Sequence, residues 1–327
     1  MHSVQTATGT LPFAELGQTL IHEHVHVGVP GWQFDLKAPK PVRAEMIARA
    51  VDKLHELQAY GCNTIVDPCP MDLGRNVEFV AEVAQRSGTN IIVATGVYTE
   101  VDGMPSTFRT LPTEDILEFY VSEITDGIGD TGIKAGVIKI ASGPDPANTF
   151  ENRMIGIAAE ASRLTGVPIV SHTDYASHGH NQLDIIERHG GCAKCTIVGH
   201  SGDRDDPAYQ NSLAERGCFV GLDRFGLEMI LPDDIRIRNL MQMVEAGHCD
   251  NIVVSHDHAL CVLGRLGPDT EARQPNWRIT RIFDYVLPQL RKLGLAERDI
   301  EQILIDNPRS LFENAAAQLS TERLRTA

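Results

Sequence analysis

The chain has 327 residues, 42% of them apolar and 22% charged, enough to bury a large core. Its formal net charge of −15 argues against nucleic acid or an anionic membrane as a partner, since no basic patch is visible to meet either. No run approaches the roughly 18 apolar residues of a membrane span. Residues 1–18 have neither a basic start nor an apolar leader stretch. The seven scattered cysteines fit a reducing compartment, so a cytoplasmic protein is expected.

The first strand-like run, Thr19–His24, ends in His22-Glu23-His24. On a strand, residues i and i+2 share a face, so the two imidazoles can converge on one ion. Further strand-like runs follow at Asn63–Asp67, Asn90–Tyr98, Ala135–Ile140, Pro168–His172, Thr196–His200, Cys218–Leu222 and Asn251–Asp257. Between them, apolar residues at three- and four-residue spacing predict helices over Val42–Tyr60, Arg75–Ser87, Thr113–Asp126, Phe150–Thr165, Leu183–His189, Pro207–Arg216 and Asp233–Ala246. Asn276–Leu290 continues the pattern after the last strand.

Gly61, Gly88, Gly166, Gly190, Gly217 and Gly247 stand where left-handed helix caps are wanted. Eight strand–helix units predict a parallel array closed into a (β/α)8 barrel, a fold of about 250 residues plus insertions. The absence of a Gly-x-Gly-x-x-Gly after the first strand counts against a dinucleotide fold. With no linker or composition break, residues 1–327 read as a single domain, closed by a helical tail over Glu297–Asp306 and Pro308–Ala316. The patternless stretch Ala259–Pro275 is expected to overhang the C-terminal rim.

That rim is where barrel enzymes gather their reactive groups. His22 and His24 end the first predicted strand, Lys139 the fourth, His172 the fifth, His200 the sixth and Asp257 the eighth. Six metal-competent or basic side chains from five strands on one rim predict a metal site.

These residues carry a family resemblance over nearly the whole chain, from Thr19-Leu20-Ile21-His22-Glu23-His24 to Asp306-Asn307-Pro308. Ordered matches between them are Ala94-Thr95-Gly96-Val97-Tyr98, Lys134-Ala135-Gly136-Val137-Ile138-Lys139, Ser171-His172-Thr173, Gly199-His200-Ser201-Gly202-Asp203, Leu222-Asp223-Arg224-Phe225-Gly226 and Ser255-His256-Asp257. The chain resembles the phosphotriesterase family of the amidohydrolase superfamily, and within it the phosphotriesterase-like lactonases. The resemblance implies two divalent metals, zinc first, with iron, cobalt or manganese accepted by the same ligands. His22, His24 and Asp257 would hold the buried ion and His172 and His200 the exposed one. Lys139 would bridge them as a CO2-derived carbamate, which replaces a positive charge by a negative one and supplies an oxygen to each metal.

Attack on an ester or phosphoryl centre by a metal-bridging hydroxide is then expected, with Asp257 accepting the proton. Tyr98 and Arg224 match positions that the lactonase branch keeps near its substrate. Tyr98 would orient a lactone ring and Arg224 would shape the overlying loop. Leu260, Val262, Leu263, Leu266 and Trp277 would hold an acyl chain. N-acyl homoserine lactones and other γ- or δ-lactones are the expected substrates, with organophosphate triesters as a side activity. The alternatives are a dedicated aryldialkylphosphatase with weak lactonase activity and a catalytically silent metal-binding barrel. A homodimer is expected from the resemblance.

Other residues receive plainer readings. His26 is expected to be a loop or supporting histidine, and His256 and His258 to face away from the metals by alternation. His178 and His180 are expected to face solvent. Cys192-Ala193-Lys194-Cys195 has the look of a redox or zinc half-site but reads as a reduced pair on the face opposite the site, and Asp67 reads equally as a carboxylate reaching the site or as a polar strand end before Pro68.

Overall fold

The computed structural model describes residues 2–265 and 270–326, with side chains over 2–265 and 272–319. Its chain opens with a hairpin that the apolar pattern does not announce, β1 (Ser3–Thr6) paired antiparallel with β2 (Gly9–Pro12). Eight strands then pair in parallel and in chain order: β3 (Gln18–Leu20), β4 (Cys62–Asp67), β5 (Asn90–Gly96), β6 (Val137–Ser142), β7 (Ile169–Thr173), β8 (Thr196–Val198), β9 (Phe219–Leu222) and β10 (Ile252–Val254). Helices α1 (Arg43–Gln58), α2 (Val77–Ser87), α3 (Ser106–Thr110), α4 (Thr113–Thr125), α5 (Thr149–Thr165), α6 (Gly179–Arg188), α7 (Pro207–Glu215) and α8 (Asp233–Glu245) lie between the strands. The short α9 (Thr270–Arg273), α10 (Leu287–Lys292) and α11 (Glu297–Glu301) follow, and α12 (Asn307–Thr326) ends the chain. This is a (β/α)8 barrel.

Local signals account for the helix ends. Asn148 and Glu151 form a reciprocal capping box on α5, and Asn76 and Asp206 accept the first free amides of α2 and α7. All six capping glycines take positive φ, between 72° and 89°.

The barrel interior is filled by one inward residue from each strand path: Ile21, Val66, Ile92, Val137, Val170, Ile197, Phe219 and Val253. Val4 and Phe13 from the N-terminal segment and Leu311 and Phe312 from α12 pack against this layer from the N-terminal end. The inward series continues two residues on, in the direction of the chain. Val137 leads to Lys139, Val170 to His172, and Val253 through Ser255 to Asp257. On these three strands the apolar layer sets the register of the polar one above it, whereas His22, His24 and His200 lie an odd number of residues past Ile21 and Ile197.

Closure between β10 and β3 occurs beyond the ends of both strands. Parallel bridges join His24 to Ala259 and Val27 to Val262. Asp257 N donates to His22 O at 3.0 Å, His24 N to His258 O at 2.9 Å, and Leu260 N to His24 O at 2.7 Å.

Two expectations are corrected here. Residues 259–263 run extended beside 24–27 instead of forming a patternless loop, and part of the remainder is helical as α9. The helix expected over Asn276–Leu290 begins only at Ile282, as a wide π turn through Val286 that leads into α10. The preceding residues anchor other segments: Trp277 Nε1 donates to His256 O at 2.7 Å, and the carbonyl of Asn276 crowds Gly226. No described helix is long and apolar enough to cross a membrane.

At Gly96 the chain turns from β5 toward Tyr98 with φ 107°, and a Cβ there would lie 2.1 Å from the Lys139 carbonyl oxygen. Gly96→Ala combines a forbidden backbone region with a backbone clash. It should lower unfolding free energy by about 3–5 kcal/mol in equilibrium urea titrations; a loss below about 1 kcal/mol would show that β5 and β6 can separate freely.

Candidate metal centre

The side chains singled out at the rim do come together. His22, His24, Lys139, His172, His200 and Asp257 line one cavity of about 340 Å³, together with Tyr98, Arg224, Val27, Leu73, Leu227, Ala259, Val262 and Trp277. Asp257 Oδ1 lies 3.4 Å from His22 Nε2 and 3.2 Å from His24 Nε2, and its Oδ2 lies 3.9 Å from His200 Nε2. Lys139 Nζ is 3.3 Å from His22 Nε2 and is 2% exposed. The ring centroids of His172 and His200 are 4.5 Å apart, and those of His22 and His200 4.8 Å.

Behind the histidines stand carboxylates that the sequence reading left unassigned. Asp223 accepts from His22 Nδ1 at 2.9 Å and from His200 Nδ1 at 3.1 Å, and also takes the His200 amide at 2.7 Å. Asp67, which the sequence leaves open between a site carboxylate and a plain strand end, takes His24 Nδ1 at 3.3 Å and the Val25 and Cys69 amides. A carboxylate on Nδ1 fixes the proton there and turns the Nε2 lone pair inward. His172 is held differently, with Nε2 to Asp174 at 2.6 Å, which leaves Nδ1 3.3 Å from the Tyr98 hydroxyl. Asp223 could have been found from its place two residues beyond inward-facing Gly221, at the C-terminal end of a barrel strand.

Burial decides most protonation states. It lowers His22 to about 4, with the Lys139 charge adding to the effect, and it lowers His172 and, strongly, His200. For His24, burial opposes the charge, but hydrogen bonds to Asp257 and Asp67 outweigh it and raise the pKa well above the ordinary value. Burial brings Lys139 down to about 8. Burial would raise Asp257, yet the charges of His22 and Arg224 hold it well below the usual carboxylate range. The Tyr98 phenol is pushed up by burial and stays protonated.

Arg224 does more than shape a loop. Its Nε donates to Asp257 Oδ2 at 2.8 Å and its Nη1 to Asp203 Oδ2 at 2.7 Å. Asp203 is also bound by the fully buried Arg236 at 3.0 Å.

Of the five residues expected to hold an acyl chain, Val262 and Trp277 line this cavity. Leu260 and Leu263 instead line a neighbouring cavity of about 260 Å³ with Pro39, Val42 and Met46, which Val262 and Trp277 also border. Leu266 lies outside the described residues.

The other histidines singled out from the sequence, His26, His178, His180, His256 and His258, are buried or half-buried. His26 Nδ1 donates to Gly74 O at 2.9 Å, and His256 Nδ1 to Glu23 Oε1 at 2.7 Å. His258 packs on Trp277. His178 and His180 are half-buried instead of solvent-facing, since His180 Nε2 meets Ser212 Oγ at 2.8 Å and its ring packs on Tyr209.

The donor chemistry fits divalent ions. His22, His200 and Asp257 each offer one ligand atom within 4.8 Å of the others, all buried or half-buried. Neutral imidazole and carboxylate together suit zinc, iron, cobalt and manganese.

The comparisons with known proteins agree with this chemistry. Residues 2–312 match the model of the phosphotriesterase family. A phosphotriesterase homology protein from Mycobacterium tuberculosis is 35% identical over 96% of this chain and 98% of its own length. An aryldialkylphosphatase from Saccharolobus solfataricus is 32% identical over 91% of this chain and 95% of its own. A solved structure of a phosphotriesterase-like lactonase variant from Deinococcus radiodurans superposes with a TM-score of 0.90 at 34% identity, covering 94% of this chain and 99% of that one.

Asp223→Asn keeps the shape but loses charge and one acceptor, so His22 and His200 are no longer both fixed. It should lower metal affinity and turnover by about 10–100-fold with unchanged far-UV circular dichroism. Metal content after dialysis against a graded chelator checks this, and retention at the wild-type level would show that the histidines orient themselves.

Proposed function

The chain belongs to the phosphotriesterase family of binuclear metal hydrolases, and from that premise we propose that it opens lactone rings, N-acyl homoserine lactones and γ- or δ-lactones among them, and hydrolyses organophosphate triesters as a side activity. The observation that carries this reading is the Tyr98 hydroxyl beside His172, facing an apolar wall of Val27, Leu73, Leu227, Val262 and Trp277. A cyclic ester presents one carbonyl to a donor and one chain to such a wall, whereas a triester presents three substituents.

His22, His24 and Asp257 would hold one metal and His172 and His200 the other, and a carbamate on Lys139 would supply a further anionic ligand. Bound divalent ions supply a water that ionises near pH 7, down from about 15.7, and polarise the substrate oxygen. The chain's own groups do the rest. The Tyr98 hydroxyl, kept protonated by burial, donates to the lactone and orients its ring. Arg224 holds Asp257 ionised through Oδ2, which leaves Oδ1 to take the proton of the attacking water. Once the ring C–O bond breaks, that proton passes from Oδ1 to the alkoxide leaving oxygen. Arg224 cannot carry the proton itself, because a guanidinium does not deprotonate in proteins; its part is to hold Asp257 in place and anionic. The carbamate on Lys139 would turn a buried donor 3.3 Å from His22 Nε2 into an anionic acceptor.

One observation favours the second reading, a dedicated phosphotriesterase: the relative named aryldialkylphosphatase, at 32% identity. The two are separated by kcat/KM for a long-chain N-acyl homoserine lactone and for paraoxon on one metal-reconstituted preparation. A ratio of about a hundred or more, some 2.7 kcal/mol of transition-state preference, is expected for the lactone. A ratio near or below one would put phosphotriester hydrolysis first. For the bridge, Lys139→Ala should lose most bound metal and regain turnover only with an added short carboxylate. Full metal content and turnover without one would sink the carbamate.

A further inference from the structure

The Cys192-Ala193-Lys194-Cys195 turn lies at the opposite end of the barrel from the metal centre and is more ordered than a chance pair of thiols. Ala193–Cys195 is a single 3-10 turn that enters β8, closed by Cys195 N donating to Cys192 O at 3.0 Å. Cys192 caps the turn in extended conformation and Cys195 ends it, so that one backbone hydrogen bond ties the two cysteines three residues apart. The turn is held from both sides. Thr196 Oγ1 donates to Cys192 O at 3.1 Å, while from α12 Asn314 Nδ2 donates to Lys194 O at 3.2 Å and Gln318 Nε2 to Gly190 O at 3.0 Å. The two thiols are unequal: Cys192 is half-exposed, whereas Cys195 is 1% exposed.

We propose that Cys192 and Cys195 form a thiol–disulfide exchange site for low-molecular-weight disulfides, with Cys192 as the attacking sulfur and Cys195 as the resolving one. In the first step the Cys192 thiolate bonds to one sulfur of the incoming disulfide, whose S–S bond breaks to release one thiolate. In the second, Cys195 bonds to Cys192 sulfur and expels the second thiolate, which takes up the Cys195 proton. Two protein thiols are oxidised and one external disulfide is reduced to two thiols, so atoms and electrons balance.

The electrostatics divide the labour in the same way. The hydrogen bond from Cys195 is the main cause that brings the Cys192 thiol down to about 6, with the Lys194 charge a lesser one. Cys195 goes up, through that same hydrogen bond and through burial. The other five cysteines all go up by burial: Cys62 and Cys218 to about 12, Cys249 and Cys261 to about 11, and Cys69 likewise in direction. Cys192 is thus the one cysteine among the described residues with a thiolate available near neutral pH.

The test uses the full, reduced chain with oxidised glutathione near neutral pH, read by intact mass and peptide mapping. The native chain should lose two of its seven thiols, gain an intramolecular disulfide mapped to 192–195 and release two glutathione molecules. Cys195→Ser should stop at a stable glutathione adduct on Cys192, and Cys192→Ser should gain none on Cys195. The map of the native chain needs no variant, so a misfolded variant leaves the test intact. Seven thiols surviving an excess of oxidised glutathione, or glutathione accumulating on another cysteine while 192–195 stays reduced, would overturn the proposal.

Discussion

The architecture depends on how the first and last strands of the barrel are joined. β3 and β10 end before they can form a ladder, and the seam between them is made by Glu23, which lies between His22 and His24 and is fully buried. Its Oε1 accepts from Ser255 Oγ and His256 N, both at 2.9 Å, and from His256 Nδ1 at 2.7 Å, and its Oε2 accepts from His258 N at 2.9 Å. Four donors on one carboxylate add charge-assisted bonds to the backbone bridges that join 24–27 to 259–262. The residue that ties the seam lies between the two histidines that line the cavity. The same bonds fix residues 255–258, so Asp257 meets both histidine Nε2 atoms.

Around that seam, burial and pairing divide the work. Burial keeps most of the histidines neutral, but it cannot say which nitrogen carries the proton. Asp223 and Asp67 say it, by accepting at Nδ1. Asp223 spans His22 on the β3 path and His200 on the β8 path, so one carboxylate couples the two sides of the centre. Farther out, Asp203 sits between Arg224 and Arg236, and this paired chain brings a guanidinium to Asp257 without an unbalanced buried charge.

Much of this was legible in the sequence, for a definite reason. Parallel strands in a barrel are buried on both faces, so they read as apolar runs, and the first polar residues after each run mark the rim. Lys139, His172 and Asp257 follow inward Val137, Val170 and Val253 by even numbers of residues, and the glycine caps mark where each helix stops. Less legible were features that rest on contacts across the fold. The hairpin β1–β2 is too short and too polar to show as a strand pair. Asp223 and Asp67 read as strand-end carboxylates until the histidines behind which they stand are in place. Residues 259–263 gain their extended form only by bridging to 24–27, so which of Leu260, Val262 and Leu263 would face the cavity could not be taken from spacing alone.

His200 and Asp257 leave the extended backbone region, with φ of 58° and 51°, a region that costs non-glycine residues of order 1–3 kcal/mol each. Such strain persists where surrounding bonds over-determine it, and both residues are so held: His200 by two contacts to Asp223 and the close Gly199–Ser171 approach, Asp257 by Arg224 and the Glu23 seam. Strain at this end is balanced by regularity at the other, where the strands start in an unstrained apolar layer. β8 shows the division within one short strand. His200 lies just beyond its C-terminal end and Cys195 just before its N-terminal end, about 16 Å apart at roughly 3.3 Å per residue. With the apolar layer between them, a change at the cysteine turn meets Ile197 and its neighbours before it reaches His200, so the two ends can carry separate chemistry on one strand.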